Sequence, residues 1–306
     1  MSIRKPMISM KSVMSSSMMK SIAAPIVAGR ELAALHITTT VIATTRIRTT
    51  CLIGNKKMKT NVVHHGDCLA MMQEKIDDAS IDMILCDLPY GVTENKWDAV
   101  IPLDDLWQQY KRVIKPNGAI LLFADGMFMA KLMVSNPAMW RYNLIWKKGE
   151  RVSGFLNANR MPLRNHEEIC VFYKALPTYN PQFSEGIPLH GKGRAYLTKS
   201  NTNNNYGNFN SLPDVRRGTT QKYPKSVLDF DKPHPAIFPT QKPVALCEYL
   251  IRTYTNENDI VLDNCCGSGT TLLAARNTNR RYIGIEIDDN NYHLTMTRLG
   301  QTVLPA

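Results

Sequence analysis

Residues 260–271 read IVLDNCCGSGTT, and this stretch decides the fold. Its first three residues predict a buried strand, Gly267 and Gly269 predict a tight loop, and an apolar helical pattern follows from Thr270. Open α/β sheets bind ligands in the loops at the carboxyl ends of their strands. The stretch therefore predicts an α/β fold with a ligand site at this loop, although a structural tight turn is the simpler alternative.

A second stretch, residues 81–91, reads IDMILCDLPYG and has a similar form. A buried strand is predicted to end at Asp87, which offers a carboxylate beside the backbone carbonyl of Leu88. Two such acceptors, each on one N–H bond of an exocyclic amino group, would aim the nitrogen lone pair outward. Pro89 stiffens the turn, and Tyr90 offers a face on which a base can stack. The alternative is a strand-ending turn with a buried tyrosine.

The glycine loop lacks the features of a phosphate site. A dinucleotide fingerprint needs a third glycine where Leu272 stands, and the Gly-Lys-Ser/Thr of a phosphate-binding loop is absent. Asp263 suits a cationic amino-acid group, and Glu286, at the end of the next predicted strand, suits two ribose hydroxyls. These features favour a nucleoside without phosphate, such as S-adenosylmethionine.

The chain resembles the DNA amino-methyltransferases, in the class whose catalytic motif precedes the cofactor motif. Residues 87–91 match the D-P-P-Y motif, with Leu88 in place of the first proline. Residues 263–271 resemble D-P-F-x-G-S-G-T-T, with Asn264 and Cys265 in place of proline and phenylalanine. Four further segments resemble family motifs: Phe238–Pro243 (H-P-T-Q-K-P), Gly284–Asp288 (the ribose-binding strand), Gly66–Cys68 (the entry motif) and Arg164–Glu167. The segment from Asp87 to Asp98 is most similar to phage and prophage members of the family.

The resemblance implies a Rossmann-like, S-adenosylmethionine-dependent methyltransferase sheet with circularly permuted motif order. The cofactor strand and the catalytic strand are then expected to be neighbours, with their loops at one edge. The expected catalytic residues are Asp87, Leu88, Pro89 and Tyr90. The expected residues for S-adenosylmethionine are Asp67, Lys242, Asp263, Gly267, Gly269, Thr270 and Glu286.

The expected substrate is double-stranded DNA, from which the target base must be flipped out to reach such a pocket. Adenine N6 is the expected target because family members with aspartate in this motif mostly methylate adenine, whereas the cytosine-N4 enzymes usually carry serine. Three alternatives stay open: cytosine-N4 methylation, protein-glutamine methylation, and an inactive DNA-binding relative. The glutamine enzymes place the cofactor motif first, and no Pro-Cys dipeptide is present for cytosine-C5 methylation.

Composition divides the chain of 306 residues into three parts. Residues 1–57 hold nine Lys/Arg and one acidic residue, so most of the net charge of +11 belongs to them. They are interpreted as a disordered or over-long N-terminal extension, with a targeting peptide or a DNA-contacting arm as alternatives. The ranges 58–175 and 232–306 are predicted to form the catalytic domain. The polar, turn-rich range 176–231 is predicted to be an inserted target-recognition segment or a long surface loop.

The remaining sequence features narrow the class of protein. Seven cysteines without CxxC or paired Cys/His spacing argue against zinc or a disulfide framework, and no metal is expected. The longest apolar region, residues 118–134, is interrupted by Asp125 and Lys131, so no membrane span is predicted. A homodimer and a location in the cytoplasm of a bacterium or phage-infected host cell complete the expectations.

Overall fold

The computed structural model describes residues 58–91, 98–188, 218–238 and 240–301, together with the backbone of the pairs 202–203 and 207–208. The N-terminal extension, residues 1–57, and the parts 189–201, 204–206 and 209–217 of the predicted recognition segment lie outside the described residues. The predicted division into a catalytic domain and an insertion therefore stays a prediction.

Eight strands form one mixed sheet in the order β1-β12-β11-β2-β3-β5-β4-β10. All neighbours run parallel except β5, which is antiparallel to both β3 and β4. Two small two-stranded sheets pair β6 with β9 and β7 with β8. The strands are β1 Val62–His65, β2 Ile81–Asp87, β3 Ile114–Ala124, β4 Trp140–Lys147, β5 His166–Phe172, β6 Ser184–Glu185, β7 Thr202–Asn203, β8 Gly207–Asn208, β9 Gln221–Lys222, β10 Val227–Asp229, β11 Ile260–Asp263 and β12 Arg281–Glu286.

Helices cover both faces of the large sheet because successive strand residues point to opposite sides. In β2, Met83 and Leu85 join one apolar core, while Ile84 and Cys86 join the other. The second core includes α1, α2 and α3, and the first includes α4, α5 and α6. The helices are α1 Cys68–Lys75, α2 Leu103–Val113, α3 Gly126–Ser135, α4 Val244–Tyr254, α5 Thr270–Asn277 and α6 Asp289–Arg298.

The two motif-bearing strands are adjacent, as the resemblance predicts. β11 runs parallel to β2, with Val261 opposite Met83 and Leu262 opposite Ile84. Asp82 Oδ2 also accepts a hydrogen bond of 2.9 Å from the backbone N–H of Ile260. Since the strands are parallel, the loops that follow them leave the same edge of the sheet. The predicted α/β fold, with both motif loops at one edge of its sheet, is therefore confirmed.

Two elements differ from the sequence-based expectation. The apolar region 118–134 divides into the end of β3 and the helix α3, which the sequence patterns did not predict; Gly126, with φ +54°, lies at the junction. The strand β10, Val227–Asp229, pairs with β4 at the edge of the large sheet although it lies in the range assigned to the insertion. The large sheet therefore extends into that range.

Within the described ranges, no helix combines the length and apolar character needed to cross a membrane. The same residues contain no group of three or more His, Cys, Asp or Glu side chains arranged to hold a metal ion.

Candidate active site

The loops after β2 and β11 line one cavity of about 570 Å³. Asp87–Tyr90 contribute one part of its wall, and Asp263–Ser268 contribute another. All but one of the eleven residues predicted for catalysis or cofactor binding line this cavity; Gly269, the exception, lies next to Ser268 at the start of α5. The structure thus brings together two motifs that are more than 170 residues apart in the chain.

The loop after β2 is held by hydrogen bonds and by ring stacking. The Tyr90 hydroxyl donates to Asp87 Oδ1 at 2.8 Å. The Tyr90 ring stacks on Phe128, with ring centroids 4.8 Å apart and an angle of 26° between the planes. Leu88, which replaces a proline of the family motif, is buried at 4% exposure, so packing restrains this position.

The carboxylate of Asp87 belongs to a connected set of four charged side chains, with Lys242, Glu167 and Lys148. Lys242 Nζ lies 2.6 Å from Asp87 Oδ2 and 3.2 Å from Glu167 Oε2. Glu167 Oε1 lies 2.6 Å from Lys148 Nζ. Lys148, Glu167 and Lys242 are largely buried, whereas the Asp87 side chain is 29% exposed toward the cavity. Buried charges are tolerated when each is paired, as in this alternating set.

The environment shifts the pKa values of Asp87, Glu167 and Lys242, each in a direction with a clear cause. Burial raises the pKa of Asp87, and the nearby Glu167 carboxylate adds to this, although Lys242 opposes both. Burial alone would raise the pKa of Glu167 as well, but the positive charges of Lys242 and Lys148 outweigh this effect, so the pKa of Glu167 is lowered. Burial opposes the charge on Lys242, yet the carboxylates of Asp87 and Glu167 raise its pKa above the usual value. Lys242 therefore stays charged, and Asp87 is the more readily protonated of the two carboxylates.

Lys242 lies at the end of the cavity that the loop after β2 lines. Lys242 is predicted from the sequence to bind the cofactor, but its contacts in the structure are to Asp87 and Glu167. Glu167 and Lys148 were not among the predicted site residues. The Arg164–Glu167 motif was the signal for Glu167, while Lys148 carries no signal beyond its place after the strand β4.

The glycine loop at the other end of the cavity depends on two left-handed backbone positions. Gly267 has φ +50° and Gly269 has φ +72°, a region that glycine adopts without strain. A Cβ atom at Gly269 would lie 2.8 Å from Thr295 Cγ2, so the loop packs closely on α6. Thr270 begins α5 directly after this turn. The loop can therefore bring its backbone close to a ligand at the start of a helix.

Three acidic residues face this end of the cavity. Glu286 accepts backbone hydrogen bonds from Gly267 at 2.7 Å and from Asp288 at 2.9 Å, and burial raises its pKa. Asp263 is 4% exposed, and burial raises the pKa of its carboxyl to about 7. Asp67 accepts a bond of 3.0 Å from Ala70 N–H as the N-cap of α1.

Asn264 and Cys265 replace proline and phenylalanine of the family motif, and the structure accommodates both. The buried Tyr110 hydroxyl donates to Asn264 Oδ1 at 2.6 Å, which fixes the loop to α2. Cys265 packs at the apolar core that contains Cys68 and Cys86. These contacts anchor the loop to α2 and to the apolar core.

Comparison with known proteins agrees with this geometry. The N6_N4_Mtase family model, described as DNA methylase, matches residues 81–297. DNA adenine methyltransferase YhdJ of Escherichia coli (strain K12) is 26% identical over 280 residues, which cover 83% of this chain and 87% of that protein. Type II methyltransferase M.BglII of Bacillus subtilis is 27% identical over 261 residues, which cover 76% of this chain and 67% of that protein.

Solved structures share the fold. PvuII DNA methyltransferase (cytosine-N4-specific) superposes with a TM-score of 0.56 at 14% identity, covering 79% of this chain and 87% of the other. The complex of M1.HpyAVI with SAM gives a TM-score of 0.52 at 24% identity, covering 77% and 98% of the two chains.

Proposed function

The chain belongs to the N6/N4 DNA methylase family, and on that premise we propose that it transfers a methyl group from S-adenosylmethionine to the exocyclic N6 of adenine in double-stranded DNA. The observation that carries the proposal is the single cavity lined by both Asp87–Tyr90 and Asp263–Ser268. A donor at one wall and an acceptor at the other can approach within the roughly 3–3.5 Å that a direct transfer needs.

The cofactor end of the cavity fits S-adenosylmethionine. The described lining residues around the glycine loop, within 66–69, 263–271 and 286–291, include Asp67, Asp263 and Glu286 but no lysine or arginine. Such a lining suits a cationic nucleoside and disfavours a phosphate. Asp263 would hold the positively charged part, and Glu286 would accept from the ribose hydroxyls, since each carboxylate oxygen can accept more than one hydrogen bond. When bound, S-adenosylmethionine supplies an electrophilic methyl group carried on a positively charged sulfur.

The catalytic end suits a flipped base. Asp87 and the Leu88 carbonyl would each accept one N–H of the exocyclic amino group, which turns its lone pair toward the cofactor end. The base would stack on the face of Tyr90 that Phe128 does not cover. A base inside a duplex cannot reach this cavity, so extrusion precedes chemistry.

Lys242 would keep Asp87 ionised while it grips the amino group, because the ammonium lies 2.6 Å from Asp87 Oδ2. Glu167, paired with both Lys242 and Lys148, holds that ammonium in place. Once methylated, the nitrogen must release a proton, and Asp87 is placed to accept it. The pKa of Asp87, raised by burial, favours this second task.

Adenine is proposed over cytosine on two grounds. Position 87 is aspartate, where the cytosine-N4 members of the family that the chain resembles usually have serine. The relative YhdJ, which aligns over most of both chains, is named a DNA adenine methyltransferase. A homodimer and a cytoplasmic location stay predictions.

The test is a tritiated-methyl transfer assay with S-adenosylmethionine and, separately, DNA, RNA and protein. Label is expected in DNA alone. Digestion of that DNA to nucleosides should recover the label as N6-methyl-2′-deoxyadenosine. Recovery as N4-methylcytosine would replace adenine by cytosine as the target. Label in protein or RNA, or in none of the substrates, would refute the proposal.

A further inference from the structure

The segment 150–164, between β4 and β5, presents an ordered apolar tip to solvent. Phe155 is 77% exposed, Leu156 is 82% exposed and Met161 is 59% exposed. Every residue from 154 to 164 is exposed. Contiguous exposed apolar side chains on a soluble protein commonly mark an interaction site. We call this segment the 150–164 loop.

Hydrogen bonds give the loop a fixed shape. Gly154, at φ +84°, begins a single 3-10 turn over Phe155–Asn157. The Met161 N–H donates to Asn157 O at 3.0 Å, which closes the tip. At the base, Ser153 and Arg164 exchange backbone hydrogen bonds of 2.7 and 3.1 Å. The apolar side chains are therefore displayed on a formed turn.

The base of the loop belongs to the active-site cavity. Ser153 and Arg164 line the cavity, as does Lys148 of the charged set beside Asp87. Arg164 forms an ion pair with Asp125, another lining residue. The tip therefore projects from residues that line the cavity, at a point where the lining residue Arg164 is exposed to solvent.

The charge of the loop matches that of nucleic acid. It contains three arginines and one acidic residue, Glu150. In the part of the chain that the structure describes, Arg151 and Arg160 are exposed and make no ion pair with an acidic side chain. Apolar side chains flanked by arginine are the combination that DNA-bending proteins insert between base pairs while they contact the phosphates.

We propose that Phe155 and Leu156 form a wedge that enters the base stack of the DNA as the target base leaves it. This inference rests on the proposed function and extends it to the step before chemistry. Extruding a base opens a gap in the stack, and filling it with apolar side chains offsets part of the cost of unstacking. Arg151 and Arg160 would contact the flanking phosphates.

The experiment compares Phe155→Ala, Leu156→Ala and the double variant with Val134→Ala, an equally exposed apolar position (74%) on α3. The DNA is a duplex that carries one methylation site, identified beforehand by sequencing modified bases. Two versions are used: one with the target base paired, and one with an abasic position opposite it. Single-turnover methyl transfer is measured on both, and sedimentation velocity gives the oligomeric state.

The double variant is expected to lose a factor of about ten or more in rate on the paired duplex, because it lacks the side chains that offset part of the cost of unstacking. On the duplex with the abasic position the rate should recover to within about twofold of the unsubstituted chain, since that base is already unpaired. Val134→Ala should match the unsubstituted chain on both duplexes.

Equal loss on both duplexes, or no loss on either, would overturn the wedge. The double variant could also turn a dimer into a monomer and lose the same rate on both duplexes. That result would overturn the wedge and show that the tip contacts a second copy of the chain. Absence of any transfer by the unsubstituted chain would instead overturn the proposed function, and the wedge with it.

Discussion

The protonation of Asp87 depends on two buried side chains that act on it in opposite directions. Lys242 Nζ, 2.6 Å from Asp87 Oδ2, favours the carboxylate, whereas the negative charge of Glu167 disfavours it. Lys242→Gln should therefore raise the pKa of Asp87, and Glu167→Gln should lower it. If the ionised Asp87 binds the amino group, activity falls at low pH as Asp87 gains a proton, and this acid limb of the pH profile follows the pKa of Asp87. Lys242→Gln should then move the acid limb to higher pH, and Glu167→Gln should move it to lower pH.

The size of the shift follows from proximity and burial. An opposite charge within 4–6 Å lowers the pKa of an aspartate by about 1–3 units, so its removal should move the acid limb up by about that amount. On the falling limb each unit costs about tenfold in ionised Asp87. Glu167→Gln should give a smaller shift, because Glu167 acts on Asp87 less strongly than Lys242 does.

The assay is kcat/KM for methyl transfer to DNA as a function of pH, which reports groups of the free enzyme. The other titratable groups that act on Asp87 or respond to it are unchanged in both variants: Cys86, Tyr90, Cys247 and Asp263. Lys147→Gln is the matched control, because Lys147 pairs at 2.7 Å with Asp229 on the surface and does not line the cavity.

Shifts of the two acid limbs in the same direction, or loss of rate at all pH values without any shift, would refute this reasoning. Either result would reduce Lys242 and Glu167 to structural roles. An equal shift in Lys147→Gln would show that the effect is not specific to the buried set.

Further predictions concern the cofactor end and the fold. Affinity for S-adenosylmethionine should fall as the pH drops below about 7, where the Asp263 carboxyl gains a proton. The variant Asp263→Asn should bind weakly at every pH. Calorimetric titration measures both affinities, and the same pH dependence in the variant would contradict a role of Asp263 in binding. Gly269→Ala should lower the free energy of unfolding by more than Gly126→Ala does. Both substitutions place alanine at a positive φ, which costs about 1–2 kcal/mol, but only the first also puts a Cβ against the side chain of Thr295. Equal losses on urea unfolding would argue against close packing at Gly269. Tyr110→Phe should lower the free energy of unfolding by about 1–3 kcal/mol, because it leaves the buried side-chain oxygen Oδ1 of Asn264 without its donor. An unchanged free energy in the same assay would show that this hydrogen bond is dispensable.

Sequence patterns predicted the parts of the site that are local in the chain. The strand-loop motifs at Asp87 and at Asp263 could be recognised, and their motif order implied adjacent strands, which the pairing of β11 with β2 confirms. Each motif carries its own physical signal: an apolar strand, a turn residue and a polar group at the strand end.

The charged set beside Asp87 could not be predicted in the same way. Glu167 reaches the site because β5 runs antiparallel to its neighbours, which brings its first residues to the edge where the parallel strands end. Lys242 is 155 residues from Asp87, and no local pattern indicates which carboxylate it pairs with. The helix α3 was missed because its apolar residues follow those of β3 closely, with only Asp125 between the two elements.

The most direct test of the central claim is analysis of nucleosides from the DNA of a methylation-free host that expresses either this chain or its Asp87→Ala variant. Mass spectrometry should find N6-methyladenine with the unsubstituted chain and none with the variant, while the purified variant still binds S-adenosylmethionine. Equal methylation by both proteins would contradict the role of Asp87, and no methylated base with either would contradict the proposed activity.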